Sequence, residues 1–74
     1  MDYSDKSLTI NGKNYIVIEQ VDYDNHTYLF LLNDNDELDS MFCEVNGKDV
    51  LMIEPELFKN KIFPLFIKKF TDKQ

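Results

Sequence analysis

Two Asn-Gly dipeptides constrain the fold of this chain more than any other feature of its sequence. They stand at Asn11-Gly12 and Asn46-Gly47 and contain both glycines of the 74 residues. A two-residue type I′ hairpin turn needs positive φ at both central positions, which asparagine and glycine tolerate best. Each dipeptide therefore predicts a tight corner between two antiparallel strands.

The residues around the two corners are also similar. Residues 10–19 align without gaps on residues 45–54, and five of the ten positions are identical. An ancestral duplication would produce this similarity, and so would two hairpins that converged on the same turn residues. The sequence leaves both origins open.

Runs rich in β-branched and aromatic residues flank the corners and have the composition of strands. These runs cover residues 15–21, 26–32, 41–45 and 50–53. We predict one α+β domain over residues 1–74, in which an antiparallel meander of about five strands, residues 8–53, precedes a helical tail, residues 55–70.

Apolar residues fall on both faces of the first long strand. Tyr15, Val17 and Val21 share one face by alternation, and Ile16 and Ile18 share the other. A single helix covers only one face of a sheet. The pattern therefore predicts a homodimer or a partner on the second face, or else a sheet that curls over that face itself.

The tail begins at Glu54-Pro55. Proline suits the first helical position, and Glu54 and Glu56 favour the positive end of the helix dipole. Pro64 inside the pattern would cost about 3 kcal/mol in a straight helix. We therefore predict a helix that is broken or kinked at Pro64, with segments over residues 55–62 and 64–70.

Charge is divided unevenly along the chain. Residues 1–56 carry thirteen carboxylates and three lysines, a net of −10, whereas residues 57–74 carry five lysines and Asp72, a net of +4. An acidic body attracts basic partners and repels nucleic acid. Arginine, the preferred bidentate reader of phosphate, is absent, so direct nucleic-acid binding is not expected.

Two loop segments concentrate the negative charge, and their carboxylates are the candidate partner-binding residues. They are Asp22, Asp24, Asp34, Asp36, Glu37 and Asp39. Alternate residues of an extended chain lie about 6.6 Å apart on one side, so a row of carboxylates can imitate the phosphates of DNA. The alternative is a solvated turn surface that keeps a small apolar protein soluble.

The sequence holds no recognisable catalytic motif, and we expect no enzyme activity. Cys43 and His26 are the only residues of their types. A Cys-His nucleophile pair would have to meet in space. We expect Cys43 instead to be a small core residue beside Met41 and Val45, and His26 to lie at the surface near a strand end.

We also expect no metal or cofactor. Counted from Asn33 as a calcium loop, oxygen-bearing residues fall at the first, third, fifth and twelfth positions, but Leu38 occupies the sixth, where glycine is required. Zinc would need further ligands at suitable spacing.

A cytoplasmic protein without membrane contact is expected. The single cysteine excludes an internal disulfide, and residues 1–6 lack the features of a signal peptide. The longest apolar run, residues 62–67, is far shorter than the roughly 20 residues of a membrane span. A residue usage rich in Asn, Asp, Ile, Lys and Phe is typical of low-G+C bacteria and their phages.

Two Leu-Phe pairs in the tail form a possible apolar interface. Leu57-Phe58 and Leu65-Phe66 resemble the last two positions of bacterial sliding-clamp-binding pentapeptides, although neither is preceded by the glutamine that opens them. Helix packing against the sheet is the alternative role.

This chain resembles two groups of proteins, the first over most of residues 14–70 and the second in size, charge and composition. A strand, an Asp-rich hairpin, a Tyr-x-Phe-Leu-Leu strand at residues 28–32, an acidic loop and a Pro-Glu-started helix follow one another. This order resembles the YrzB-like small acidic proteins, whose function is not established. The short, acidic, low-G+C chain also resembles phage-encoded host-takeover inhibitors that imitate DNA, among them inhibitors of the replication sliding clamp.

The second resemblance implies a non-enzymatic inhibitor that blocks the basic DNA-binding surface of a host replication protein. The alternative is a bacterial adaptor or structural domain that binds a partner through an apolar sheet face or the Leu-Phe tail.

Overall fold

The computed structural model describes Tyr3 and residues 6–72, which form an antiparallel sheet and a C-terminal helix. Each strand pairs with the next along the chain, in the order β1 (Ser7–Ile10), β2 (Lys13–Tyr23), β3 (His26–Asn33), β4 (Asp36–Asn46) and β5 (Asp49–Leu51). The C-terminal helix consists of α1 (Pro55–Leu57), a π-helical turn (Phe58–Ile62) and α2 (Phe63–Asp72). The predicted α+β meander of five strands is confirmed. No helix in the described part of the chain has the length and apolar character needed to cross a membrane.

The first Asn-Gly corner forms the predicted turn. Asn11 has a φ of 53° and Gly12 a φ of 77°, as a type I′ turn requires. The β2–β3 connection uses the same geometry, with φ of 52° at Asp24 and 64° at Asn25. Aspartate and asparagine tolerate this region better than other non-glycine residues, which explains a two-residue turn where the sequence indicated a longer loop.

The second Asn-Gly corner is displaced by one residue. Asn46 pairs with Asp49, so Gly47 and Lys48 are the turn residues. Gly47 has a φ of 63°, and Lys48 is not among the described residues with positive φ, which matches a type II′ turn. The gapless sequence alignment therefore superposes turns of different type, and this favours convergence over duplication.

A β-bulge at Ile18 switches the faces of β2. Val17 pairs with Leu31 and Glu19 pairs with Phe30, so Ile18 has no partner in β3. Because side chains alternate along a strand, one extra residue moves every later side chain to the other face.

The bulge corrects the predicted position of Val21. Tyr15 and Val17 belong to the apolar cluster on one side of the sheet, whereas Val21 packs on the opposite side against the C-terminal helix. Alternation without a bulge had placed all three together. Ile16 and Ile18 remain about two-fifths exposed.

Each side of the sheet carries one apolar cluster. On the side that we call the curled face, the buried residues are Tyr15, Val17, Leu29, Leu31, Cys43 and Val45. On the side that we call the helix face, they are Val21, Tyr28, Ile62 and Phe66.

The chain itself covers the curled face. Leu29 and Leu31 have no exposed surface and Cys43 is 2% exposed. Partly buried residues pack around them, namely Tyr3, Leu8, Ile10, Met41 and Val50. The homodimer was predicted from an uncovered second face, and that premise is wrong because the sheet curls over the face. The dimer itself stays a prediction.

The C-terminal helix begins where the sequence predicts. Pro55 is its first residue, and the Glu54 carboxylate accepts hydrogen bonds from the N–H groups of Glu56, at 3.1 Å, and Leu57, at 2.8 Å. These two backbone N–H groups would otherwise lack a partner in the first turn.

A π-helical turn stands where the sequence predicted a break. Pro64 has no N–H to donate, and in a regular α-helix its ring would crowd the carbonyl of Asn60. In the preceding turn the N–H of Phe63 bonds to the carbonyl of Phe58, five residues earlier. The wider turn accommodates the proline, and the two predicted segments form one continuous helix.

Of the four residues predicted as an apolar interface, Phe66 is completely buried, and Leu57, Phe58 and Leu65 are half-buried. The ring of Phe66 lies 4.9 Å from that of Phe42 in β4, centroid to centroid. All four belong to the cluster that joins helix and sheet, so Phe66 is not accessible to a partner in this structure.

Replacing Phe66 with alanine should lower the free energy of unfolding by about 3–5 kcal/mol, because it empties a fully buried site. Ile67→Ala is the matched control. Ile67 is the next helix residue and is 44% exposed, so we expect a loss below about 1 kcal/mol. Urea denaturation measures both, and equal losses would contradict the packing described here.

Candidate acidic interface

The β3–β4 hairpin carries the acidic segment and has an irregular end. Asn33 pairs with Asp36 across a two-residue turn, whereas the preceding pair joins Leu32 to Ser40. Residues 37–39 therefore have no partners in β3 and bulge out of the ladder. Residues 33–39, which the sequence indicated as a loop, therefore form the end of a hairpin with a three-residue bulge.

The exposed surface of this end combines charge with one apolar side chain. Asp34, Asp36 and Glu37 are all exposed, and Leu38 is 92% exposed. Sequence reasoning missed Leu38, although it is the only apolar residue between Leu32 and Met41. We call Asp34, Asp36, Glu37 and Leu38 the acidic end.

Hydrogen bonds brace the acidic end from inside the protein. Asp39 accepts hydrogen bonds at one carboxylate oxygen from the Tyr15 hydroxyl, at 2.7 Å, and from the Asn33 side-chain amide, at 3.0 Å. The amide oxygen of Asn33 in turn accepts a hydrogen bond from the backbone N–H of Asn35, at 2.8 Å. Lys13 Nζ lies 3.9 Å from the same Asp39 oxygen. Asp39, predicted as a contact residue, thus serves to position the turn.

The network shifts the pKa of both of its ionisable partners. The hydrogen bond from Asn33, followed by that from Tyr15, lowers the pKa of Asp39 below its ordinary value of 3.8. The hydrogen bond to Asp39, together with burial, raises the pKa of Tyr15 above 10.0. Both shifts favour the pairing of a carboxylate with a neutral phenol.

Asp22 and Asp24 lie at the opposite end of the sheet. The turns at residues 24–25 and 34–35 are separated by β3, whose eight residues span about 26 Å. Asp22 accepts a hydrogen bond from the Thr27 hydroxyl at 2.9 Å. The two acidic segments of the sequence therefore do not form one surface, and the predicted set of six carboxylates is divided.

Cys43 and His26 lie on opposite sides of the sheet and do not pair. Cys43 is buried in the curled face, and burial raises the pKa of its thiol to about 11. His26 begins β3 two residues before Tyr28, and its Nδ1 lies 2.8 Å from Glu44 Oε2. The predicted core position of Cys43 and surface position of His26 are confirmed.

Among Tyr3 and residues 6–72, no three His, Cys, Asp or Glu side chains are arranged to hold a metal ion. The segment tested as a calcium loop is a β-hairpin. Glu44, its twelfth residue, pairs with Tyr28 along the β3–β4 ladder and lies far from the turn.

The curled sheet and its covering helix define a small α+β protein, and one hairpin end of the described sheet displays the exposed carboxylates of the acidic end. No protein-family model, curated protein or solved structure matches the chain. Surface chemistry therefore carries the functional proposal.

Replacing Asp39 with asparagine should lower the thermal stability of the protein and should also weaken the dependence of that stability on pH. Folding lowers the pKa of the Asp39 carboxyl group from its ordinary value of 3.8. The ionised carboxylate therefore stabilises the protein fully at pH values above 3.8. This stabilisation is lost as the pH falls through the lower pKa of the folded state. The variant should melt several degrees below the wild type near neutral pH, and the gap should narrow below about pH 4.

Thermal denaturation followed by circular dichroism measures this effect. Asp34→Asn makes the same chemical change at an exposed carboxylate and should melt like the wild type. An Asp39→Asn gap that stays constant down to about pH 2 would contradict the role of the ionised carboxylate.

Proposed function

We propose that this chain is a non-enzymatic acidic protein-binding module that competes with DNA for the basic surface of a DNA-handling protein. The observation that carries the proposal is the acidic end, where Asp34, Asp36 and Glu37 are exposed together with Leu38 on one hairpin end. Because Asp39 and Asn33 brace this end, its charges are displayed at low cost in conformational entropy on binding.

The carboxylates of the acidic end are not neutralised by lysines within the described residues. The ion pairs that described lysines make join Lys13 to Asp39 and Lys69 to Glu19. The whole chain carries a formal charge of −6. Lys13 lies beside this end but is paired with Asp39, so a basic partner would meet a net negative field from Asp34, Asp36 and Glu37.

The lysines of the C-terminal helix make the charge of the protein uneven, with positive charge on the helix and negative charge at the acidic end. Lys59, Lys61 and Lys68 are exposed on the helix, and Lys69 lies 3.9 Å from Glu19 of β2. The basic tail thus packs back onto the acidic body. A basic surface would be attracted to the acidic end and repelled by the outer side of the helix, which favours one orientation of approach.

A host replication protein such as the bacterial sliding clamp is the target that we favour, with the chain acting as a phage-type inhibitor. The resemblance to DNA-imitating takeover inhibitors suggests this class, since a clamp lines its channel with positive charge for passing DNA. Leu38 would add an apolar contact that DNA lacks, and contacts of this kind often dominate an interface.

The adaptor alternative has less support from the exposed surfaces. The curled face is covered by the chain itself, and Phe66 of the Leu-Phe tail has no exposed surface. An apolar partner would therefore need a different contact from those predicted.

Neutralising the acidic end tests the proposal. The triple variant Asp34→Asn, Asp36→Asn, Glu37→Gln keeps Asp39 and so keeps the internal bracing. We expect it to lower affinity for a purified sliding clamp by roughly threefold to a hundredfold, because each of three exposed pairs contributes about 0.2–1 kcal/mol. The wild-type affinity should also fall steeply with salt.

The matched control removes the same charge elsewhere, at Asp22, Asp24 and Asp72, each changed to Asn. These residues are exposed and lie outside the acidic end, so this variant should bind nearly as well as the wild type. Equal losses in the two triple variants, or an affinity indifferent to salt, would refute the proposal. If the clamp does not bind, capture from a low-G+C bacterial lysate at two salt concentrations tests other basic targets.

A further inference from the structure

The free edge of β5 is a second surface with features that the monomer does not explain. β5 is last in the strand order and, within the described sheet, pairs with β4 alone. Leu51 is 43% exposed and Met52 is 93% exposed. Met52 also borders an open groove of about 340 Å³, which Phe42, Ile53, Pro55 and Phe58 line with it. Unpaired strand edges with apolar side chains are templates for another strand.

The hairpin register decides which backbone groups of β5 point outward. Asn46 and Asp49 close a two-residue turn, and such a closing pair exchanges two hydrogen bonds. Hydrogen-bonded and non-hydrogen-bonded pairs alternate along an antiparallel ladder, so the N–H and C=O of Leu51 also point toward β4. The N–H and C=O of Val50 are left at the free edge.

Self-pairing about a two-fold axis must bring outward residues opposite each other, which are Val50 within β5 and Met52 where the extended chain continues past it. An axis through Leu51 places Val50 opposite the partner's Met52. It also brings Lys48, in the turn, close to the exposed Glu54 of the partner, whose carboxylate caps the helix. An axis through Val50 would instead place Lys48 opposite the partner's Met52. Charge complementarity and apolar matching both favour the axis through Leu51.

We infer that the protein forms a homodimer in which β5 pairs antiparallel with β5 of a second copy, about an axis through Leu51. The sheets meet at their edges, in contrast to the contact between faces that the sequence suggested. This pairing satisfies the outward groups of Val50 and covers Leu51 and Met52. It does not depend on the function of the acidic end, which lies on the β3–β4 hairpin.

A cysteine at the axis tests the register. Residues at a non-hydrogen-bonded antiparallel position have Cα atoms about 4.5 Å apart, which is within the disulfide range of about 4.4–6.8 Å. Leu51→Cys should therefore form a covalent dimer in a glutathione redox buffer. Leu38→Cys is the control, because Leu38 is more exposed but lies far from β5. Cross-linking of Leu51→Cys no greater than that of Leu38→Cys would overturn the inference.

Sedimentation of the unmodified chain provides an independent test. We expect a reversible dimer within a concentration series that ends at about 1 mM. Lys48→Glu should weaken association about fivefold to tenfold at low salt, because it faces the partner's Glu54 with like charge. Lys61→Glu, an equal change at an exposed helix position, should not. A wild-type monomer throughout the series, or equal effects of the two substitutions, would overturn the inference.

Discussion

The bulge at Ile18 is the local feature on which the rest of the structure depends. A chain of 74 residues has little interior, and a five-stranded sheet has two apolar faces to cover. By switching faces within β2, the bulge lets Tyr15 and Val17 serve the curled face while Val21 serves the helix face. One strand thereby contributes to both cores, and bulges also increase the local twist that bends a sheet.

The apolar cluster on the curled face in turn supports the acidic end. Tyr15 is 4% exposed within that core, and its hydroxyl reaches out to Asp39. Asn33 is buried too, at 9% exposed. Its side chain donates a hydrogen bond to the same carboxylate and accepts one from the backbone N–H of Asn35 in the turn. Displayed carboxylates repel one another and would otherwise favour a mobile loop. Anchoring the hairpin to buried groups keeps their positions defined, which is the property that imitation of a phosphate backbone requires.

Local signals in the sequence were sufficient for part of this fold. Asn11-Gly12 and Glu54-Pro55 act through their own backbone preferences, so the first corner and the helix start were predictable. The bulge at Ile18 and the π-helical turn before Pro64 depend on packing between distant segments, and alternation or helical periodicity alone misses them. For the candidate site, the sequence identified the acidic residues. Topology separated them into two ends and turned Asp39 inward, and no local pattern contains that information.

The acidic end, rather than the Asp22–Asp24 turn or the helix, should be the surface that meets a basic partner. Titration of the isotope-labelled protein with a peptide rich in lysine and arginine, followed by amide chemical shifts, tests this most directly. The largest shifts should fall within residues 34–38 and should be reversed by added salt. Largest shifts at residues 22–24, or shifts of similar size across the sheet, would contradict it.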